Sequence, residues 1–172
     1  VPEGRRRLGL YYRDMRYLSI FDLAINGQKP RLLGSSSELN YAGVAQMANP
    51  TIELADGRAA LARTISIRRV RYLKDGLHET ISFYNHNPFP VPLELTLTFG
   101  SDFCDMFEVR GLERAERGTV IPPLSSYSRL TLNYSGLDRV KRRTEIIFDP
   151  QPSGVEIEEV PLNVCSALKR RE

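Results

Sequence analysis

The sequence predicts an all-β fold of two packed antiparallel sheets, a β-sandwich with at most one or two helical turns. Three observations predict it. Apolar and polar residues alternate at period two in at least five runs from residue 16 onward, the pattern of strands with one wet face. Turn residues (Gly, Asn, Asp, Pro) separate those runs at the spacing expected of consecutive hairpins. The 172-residue length is one domain's worth of chain, enough to bury roughly 70% of its unfolded surface without a metal or disulfide staple.

Each element follows in order. Asn26-Gly27 ends the run Ile20–Ile25, and Asp75-Gly76 joins 64–73 to 77–86. Both dipeptides supply the positive φ that tight hairpins demand. Within 64–73 the apolar parity is odd at Ile65 and Ile67 but even at Val70 and Tyr72. An extra residue at Arg68-Arg69, a β-bulge, is expected to restore it. Asn87-Pro88-Phe89-Pro90 leads into 91–100, where Val91, Leu93, Leu95, Leu97 and Phe99 are expected to line the core and Glu94, Thr96 and Thr98 to face water. Ser128, Leu130, Leu132 and Tyr134 form the inner set of the next strand. Ser135-Gly136-Leu137-Asp138 turns the chain into 139–148, whose inner set is Val140, Thr144, Ile146 and Phe148.

Two stretches break the alternation. Arg5–Arg16 mixes aromatic with charged residues. In Ser101–Gly111, Asp102, Asp105 and Glu108 recur at spacing three around Phe103, Met106 and Phe107. That spacing predicts a short helical turn near 101–108, with Asp102 as its cap, Phe103 and Phe107 packing it and Arg110 neutralising a carboxylate.

Composition excludes several classes. With 41% apolar and 26% charged residues, the chain is an ordinary globular mixture and not a disordered tail. Its longest apolar runs are four or five residues, so neither a transmembrane helix nor a signal peptide is expected. Cys104 and Cys165 fit no zinc spacing and no disulfide framework; free thiols in a reducing, cytoplasmic setting are expected. The start at Val1 and the charged final run look like a piece cut from something longer. The net charge of +3 conceals 20 Arg among 24 basic residues. They cluster at Arg5–Arg7, at Arg68, Arg69 and Arg71, and at Arg139–Arg143, with acidic residues such as Glu156, Glu158 and Glu159 between. Paired, solvated sheet faces are the plainer reading than nucleic-acid binding, which would gather the charge on one face.

Catalytic chemistry is hard to find. His78 and His86 both sit on the hairpin strand 77–86 without a Ser or Cys at nucleophile spacing. They read as surface imidazoles, and a metal site there needs a third ligand that the sequence does not place. No glycine loop for phosphate appears. Asp102, Asp105 and Glu108 lack the glycine and alternating ligands of a calcium loop. No catalytic residue, metal ligand or cofactor is assigned. Trp is absent; Tyr11, Tyr12, Tyr17, Tyr41, Tyr72 and Tyr84 are the aromatic residues available to stack on a sugar, although strand tyrosines more often pack the core or rim.

Two motifs carry a family resemblance. Gly9-Leu-Tyr-Tyr-Arg13-Asp14-Met-Arg16-Tyr-Leu18-Ser19 resembles the opening Gly-Leu-Phe/Tyr-x-Arg-Asp-Thr-Arg-x-Leu-Ser of the N-terminal domain of bacterial and archaeal glycogen debranching enzymes, the amylo-α-1,6-glucosidase type. Phe99-Gly-Ser-Asp102-Phe103-Cys-Asp105-Met-Phe107-Glu108-Val109-Arg110-Gly111 is similar to that family's Phe-x-Ala-Asp-Phe-x-Asp-x-Phe-Glu-Val-Arg-Gly. Arg71-Tyr72-Leu73, Asn85 with its proline turn, and Tyr134-x-Gly136-Leu137-Asp138 ahead of Arg142-Arg143-Thr144 add support.

The resemblance implies that 1–172 is a single, supersandwich-like β-sandwich domain, the N-terminal part of a longer chain whose (α/α)6-barrel catalytic domain is absent here. The general acid and base then belong to that barrel. This chain has no pair of carboxylates at glycosidase separation that the sequence can defend. The leading expectation is a non-catalytic accessory domain that packs on the C-terminal catalytic domain of the same chain and contacts α-glucan, with no nucleic-acid or membrane partner. An independent carbohydrate-binding module with tyrosines as its platform, and a purely structural domain, are the alternatives. Arg13, Asp14, Arg16, Asp102, Asp105, Glu108 and Arg110 are the candidate interface or glycan contacts. Buried charges survive only when paired, so an ion-pair network between the two segments is the plainer account of them.

Overall fold

The computed structural model describes residues 7–160 and 163–171. The chain is all-β and antiparallel, in the class of β-sandwich folds, with a single helical turn among the described residues. In order come β1 (Leu10–Tyr12), β2 (Met15–Leu18), β3 (Ile20–Ile25), β4 (Arg31–Ser36) and β5 (Ala42–Ala48). The short β6 (Ile52–Glu53) and β7 (Ala59–Ala60) precede β8 (Ile65–Leu73), β9 (Leu77–Asn85) and β10 (Glu94–Ser101). The helical turn α1 (Met106–Val109) leads to β11 (Thr119–Ser126), β12 (Arg129–Ser135) and β13 (Lys141–Ile147), then β14 (Gly154–Val160) and β15 (Asn163–Arg171).

The described residues form two compact units, one built from the stretches up to Asp22 and from Thr96 to Arg170, the other from Leu23–Leu95. In the first, β1 and β2 make a hairpin, β11-β12-β13 a three-stranded sheet, and β14-β15-β10-β3 a four-stranded one. Its core is aromatic. Phe99 stacks on Phe21 at 4.7 Å and meets Phe148 edge-on at 5.7 Å. Phe103 stacks on Tyr134 at 5.3 Å. On β12, Leu130, Leu132 and Tyr134 are buried as their parity predicts.

The second unit holds the sheet β4-β5-β8-β9 and the small ladder β6-β7. Ile65 and Ile67 are buried, and Ser66, Arg68 and Tyr72 are exposed. Asn49, itself buried, ties down the approach to β8: its Nδ2 donates to Leu61 O at 3.0 Å and its Oδ1 accepts from Ile65 N at 2.7 Å.

Several sequence expectations need correction. β8 pairs with β5 and β9 in unbroken register through Arg68 and Arg69, so no bulge forms. Arg69 instead continues the inner face behind Ile65 and Ile67, because Glu79 on β9 pairs with both Arg69 and Arg71. A buried charge with a partner replaces the extra residue. β10 begins at Glu94, not Val91, and alternation does not sort its burial: Leu95, Thr96, Leu97 and Thr98 are all half-buried. The turn after β9 does not close a hairpin either. β9 and β10 belong to different sheets, and Asn85 shapes the crossing by donating from Nδ2 to Phe89 O at 2.8 Å.

Candidate functional site

The two segments that break strand alternation meet, and both lie in the first unit. Arg13 and Asp14, at φ 45° and 61°, form the two-residue loop between β1 and β2, with Tyr12 opposite Met15. Two successive left-handed residues are what a type I′ hairpin requires. Two backbone hydrogen bonds dock this hairpin on 104–106 and pair Met15 with Asp105: Arg16 N donates to Cys104 O and Met106 N to Asp14 O, each at 2.8 Å. Just beyond the hairpin, Ser19 N donates to Gly100 O at 2.8 Å.

Arg16 on β2 is the side-chain link. It is 7% exposed, and its guanidinium grips Asp102 with both forks, Nε to Oδ1 at 3.0 Å and Nη2 to Oδ2. Burial works to lower the Arg16 pKa, but the hydrogen bonds and charge of Asp102 outweigh it and hold it above the ordinary arginine value. Arg16 Nη1 also donates to Leu8 O at 3.2 Å. The arginine stem runs under Gly9, where a Cβ would come within 2.6 Å of Arg16 Cδ and 2.4 Å of Leu18 O. Only glycine admits this approach, which gives the first residue of the opening motif its reason.

Asp105, not Asp102, caps α1. Its Oδ1 accepts from Phe107 N at 2.8 Å and Glu108 N at 2.9 Å, and Glu108 Oε2 accepts from Asp105 N at 3.0 Å, a reciprocal capping box. Asp102 Oδ1 accepts from Cys104 N at 3.2 Å instead. Arg110 is exposed and neutralises none of the three carboxylates; Arg114 and Arg117 do. Arg114 pairs with Asp105 and lies 3.7 Å from Glu108. Arg117 Nε meets Glu108 Oε1 at 2.9 Å, and its Nη2 donates to Asp102 O at 2.6 Å. These two arginines follow Gly111 in a stretch without periodicity, so spacing gave no sign of them.

Partial burial raises the Asp105 pKa, but the two capping N–H groups and Arg114 more than reverse this and hold it below the usual carboxylate range. A carboxylate depressed on folding contributes stability above its unfolded pKa of ~3.9 and loses it as pH falls through the lower folded value. Asp105→Asn is therefore expected to lower the melting temperature at pH 7, with the gap from wild type narrowing below about pH 4. A gap that stays constant down to pH 2 would refute the cap's charge. The Cys104 thiol is pushed up to about 11, first by burial and then by the Asp102 charge.

The remaining candidates lie elsewhere. Arg13 and Asp14 are exposed, and the Arg13 guanidinium sits 5.3 Å over the Tyr12 ring. His78 and His86 are exposed. Tyr11 donates its hydroxyl to Arg7 O at 2.8 Å, Tyr17 is half-buried against Phe103, and Tyr41, Tyr72 and Tyr84 are exposed. Cys165 lies outside the residues whose side chains are described. Among the described residues no group of three His, Cys, Asp or Glu is placed to hold a metal ion, and no helix is long and apolar enough to cross a membrane.

The fold and this clamp define an all-β domain whose acidic motif is spent on holding a hairpin and a capped turn together. The chain belongs to the family of N-terminal domains of glycogen debranching enzymes, whose family model matches residues 1–165. No curated protein and no solved structure matches the chain.

Proposed function

We propose that residues 1–172 act as a non-catalytic accessory domain of a glycogen debranching enzyme, packing on the glycosidase domain of the same chain and contacting α-glucan. One observation carries the reading. Every carboxylate of the second motif is ion-paired with an arginine: Asp102 with Arg16, Asp105 with Arg114 beside its capping bonds, and Glu108 with Arg117. A glycosidase acid must instead be held protonated beside its bond. Arg13, Asp14 and Arg110 are the exposed charged members of the motifs and the ones assigned to the partner surface. The chain is expected to release no reducing sugar from glycogen or its limit dextrin, yet to co-sediment with glycogen. Hydrolysis abolished by Asp105→Asn or Glu108→Gln would overturn the reading.

A further inference from the structure

The sheet β4-β5-β8-β9 has one inner face, carrying Ile65, Ile67, Phe83 and the ion pairs of Glu79 with Arg69 and Arg71, and one face open to solvent. Register places Tyr72 opposite His78 and Ser66 opposite Tyr84 on that open face, with Val70-Thr80 and Arg68-Ser82 between them. Gln46 lies opposite Arg68 on β5. Each end of the face holds an aromatic pair. Tyr72 and His78 stack at 4.7 Å with their rings 6° from parallel. Tyr84 and His86 lie 4.6 Å apart, and His86 Nε2 is fixed by Ser66 Oγ at 2.8 Å. His78 Nε2 is likewise fixed, by Lys74 O at 2.8 Å. Tyr84 is 66% exposed.

Six residues of β8 separate the two ends, about 20 Å. The strand positions facing this way carry no carboxylate. The exposed Arg68 at its centre points its donors at whatever lies across it. Charge excludes two occupants. A second copy of the face would set Arg68 against Arg68, and a basic partner would meet repulsion. An uncharged polyol offers hydroxyl and ether oxygens to Arg68, Gln46, Ser82 and Thr80, and apolar ring faces to the tyrosine–imidazole pairs.

We infer that this face is the α-glucan contact, one linear run of sugar rings lying along β8 and β9 from Tyr72–His78 to Tyr84–His86. The inference rests on the proposed glucan reading and names its surface. Maltoheptaose titrated calorimetrically into the 172-residue chain tests it, with Tyr84→Ala, Tyr72→Ala and, as a control, Tyr127→Ala on the far-exposed β11–β12 turn. The expected result is a tenfold or greater loss of affinity for Tyr84→Ala and Tyr72→Ala, none for Tyr127→Ala, and unchanged melting temperatures. Wild-type binding that all three variants retain would overturn this surface and leave the glucan reading standing. No binding by the wild type would overturn both. Loss in added salt, or equal binding of an acidic peptide, would make the occupant an acidic protein surface and overturn the glucan assignment.

Discussion

Asp102→Ala is expected to cost about 3–5 kcal/mol of folding stability, because it takes the compensating carboxylate away from a buried guanidinium. Arg16 is 7% exposed and Asp102 8%, so water cannot take over the lost contacts. The carboxylate also supports Cys104 N, and the backbone carbonyl of the same residue accepts from Arg117, so the turn into α1 should loosen with it. Denaturant unfolding of the 172-residue chain checks the size of the effect. The double variant Arg16→Met/Asp102→Leu separates pairing from shape. Removing both charges leaves neither member of the pair buried and uncompensated, and such replacements are often neutral or stabilising. The double variant should therefore recover most of the loss. A double variant as unstable as Asp102→Ala would mean that the site needs its hydrogen bonds, not merely charge balance. A loss below about 1 kcal/mol for Asp102→Ala would place the pair with surface salt bridges.

What the sequence disclosed and what it hid divide along a physical line. β12 was legible, with Leu130, Leu132 and Tyr134 buried where period two places them, whereas in β10 an equally apolar set does not separate the two faces, Leu95, Thr96, Leu97 and Thr98 all being half-buried. Hairpin turns whose chemistry is local were legible too, such as Asn26-Gly27, with φ 48° and 75°. The bulge at Arg68-Arg69 failed because parity alone treats an arginine as outward-facing. Glu79 lies eight and ten residues away in sequence, and only strand pairing brings it to Arg71 and Arg69. The candidate site divides in the same manner. That Asp102 and Arg16 are charged and lie in motifs that break strand alternation was visible. That they form one clamp is an 86-residue contact. Asp14 and Arg13 were grouped with the clamp on charge, but their backbone angles are what the hairpin uses. Spacing of three points to Asp102 as the cap because it is the first carboxylate of the series, but the backbone places Asp105 at N-cap geometry.

Phe103→Ala should be the costliest apolar truncation in the first unit, about 3–5 kcal/mol, while Phe107→Ala four residues later should stay within about 0.5 kcal/mol. By sequence the two rings are equivalent, one before and one within the helical turn. Burial separates them: Phe103 is 1% exposed and Phe107 61%. Phe103 stacks on Tyr134 with rings 11° from parallel and takes Tyr17 edge-on at 5.8 Å. It thereby joins β2, β12 and the approach to α1 at one point. Its backbone lies in the left-handed region at φ 47°, a conformation costing roughly 1–2 kcal/mol for a residue with a Cβ. Packing of the ring must hold it there. Phe103→Gly removes that backbone cost along with the ring, so it should be no worse than Phe103→Ala in spite of the larger cavity. Glycine elsewhere in a regular element is worse than alanine by roughly 0.5–1 kcal/mol. Unfolding free energies of the three variants, measured side by side, decide the matter. If Phe103→Gly falls clearly below Phe103→Ala, or if Phe107→Ala matches Phe103→Ala, the ring at 103 is not what holds this turn against the sheet.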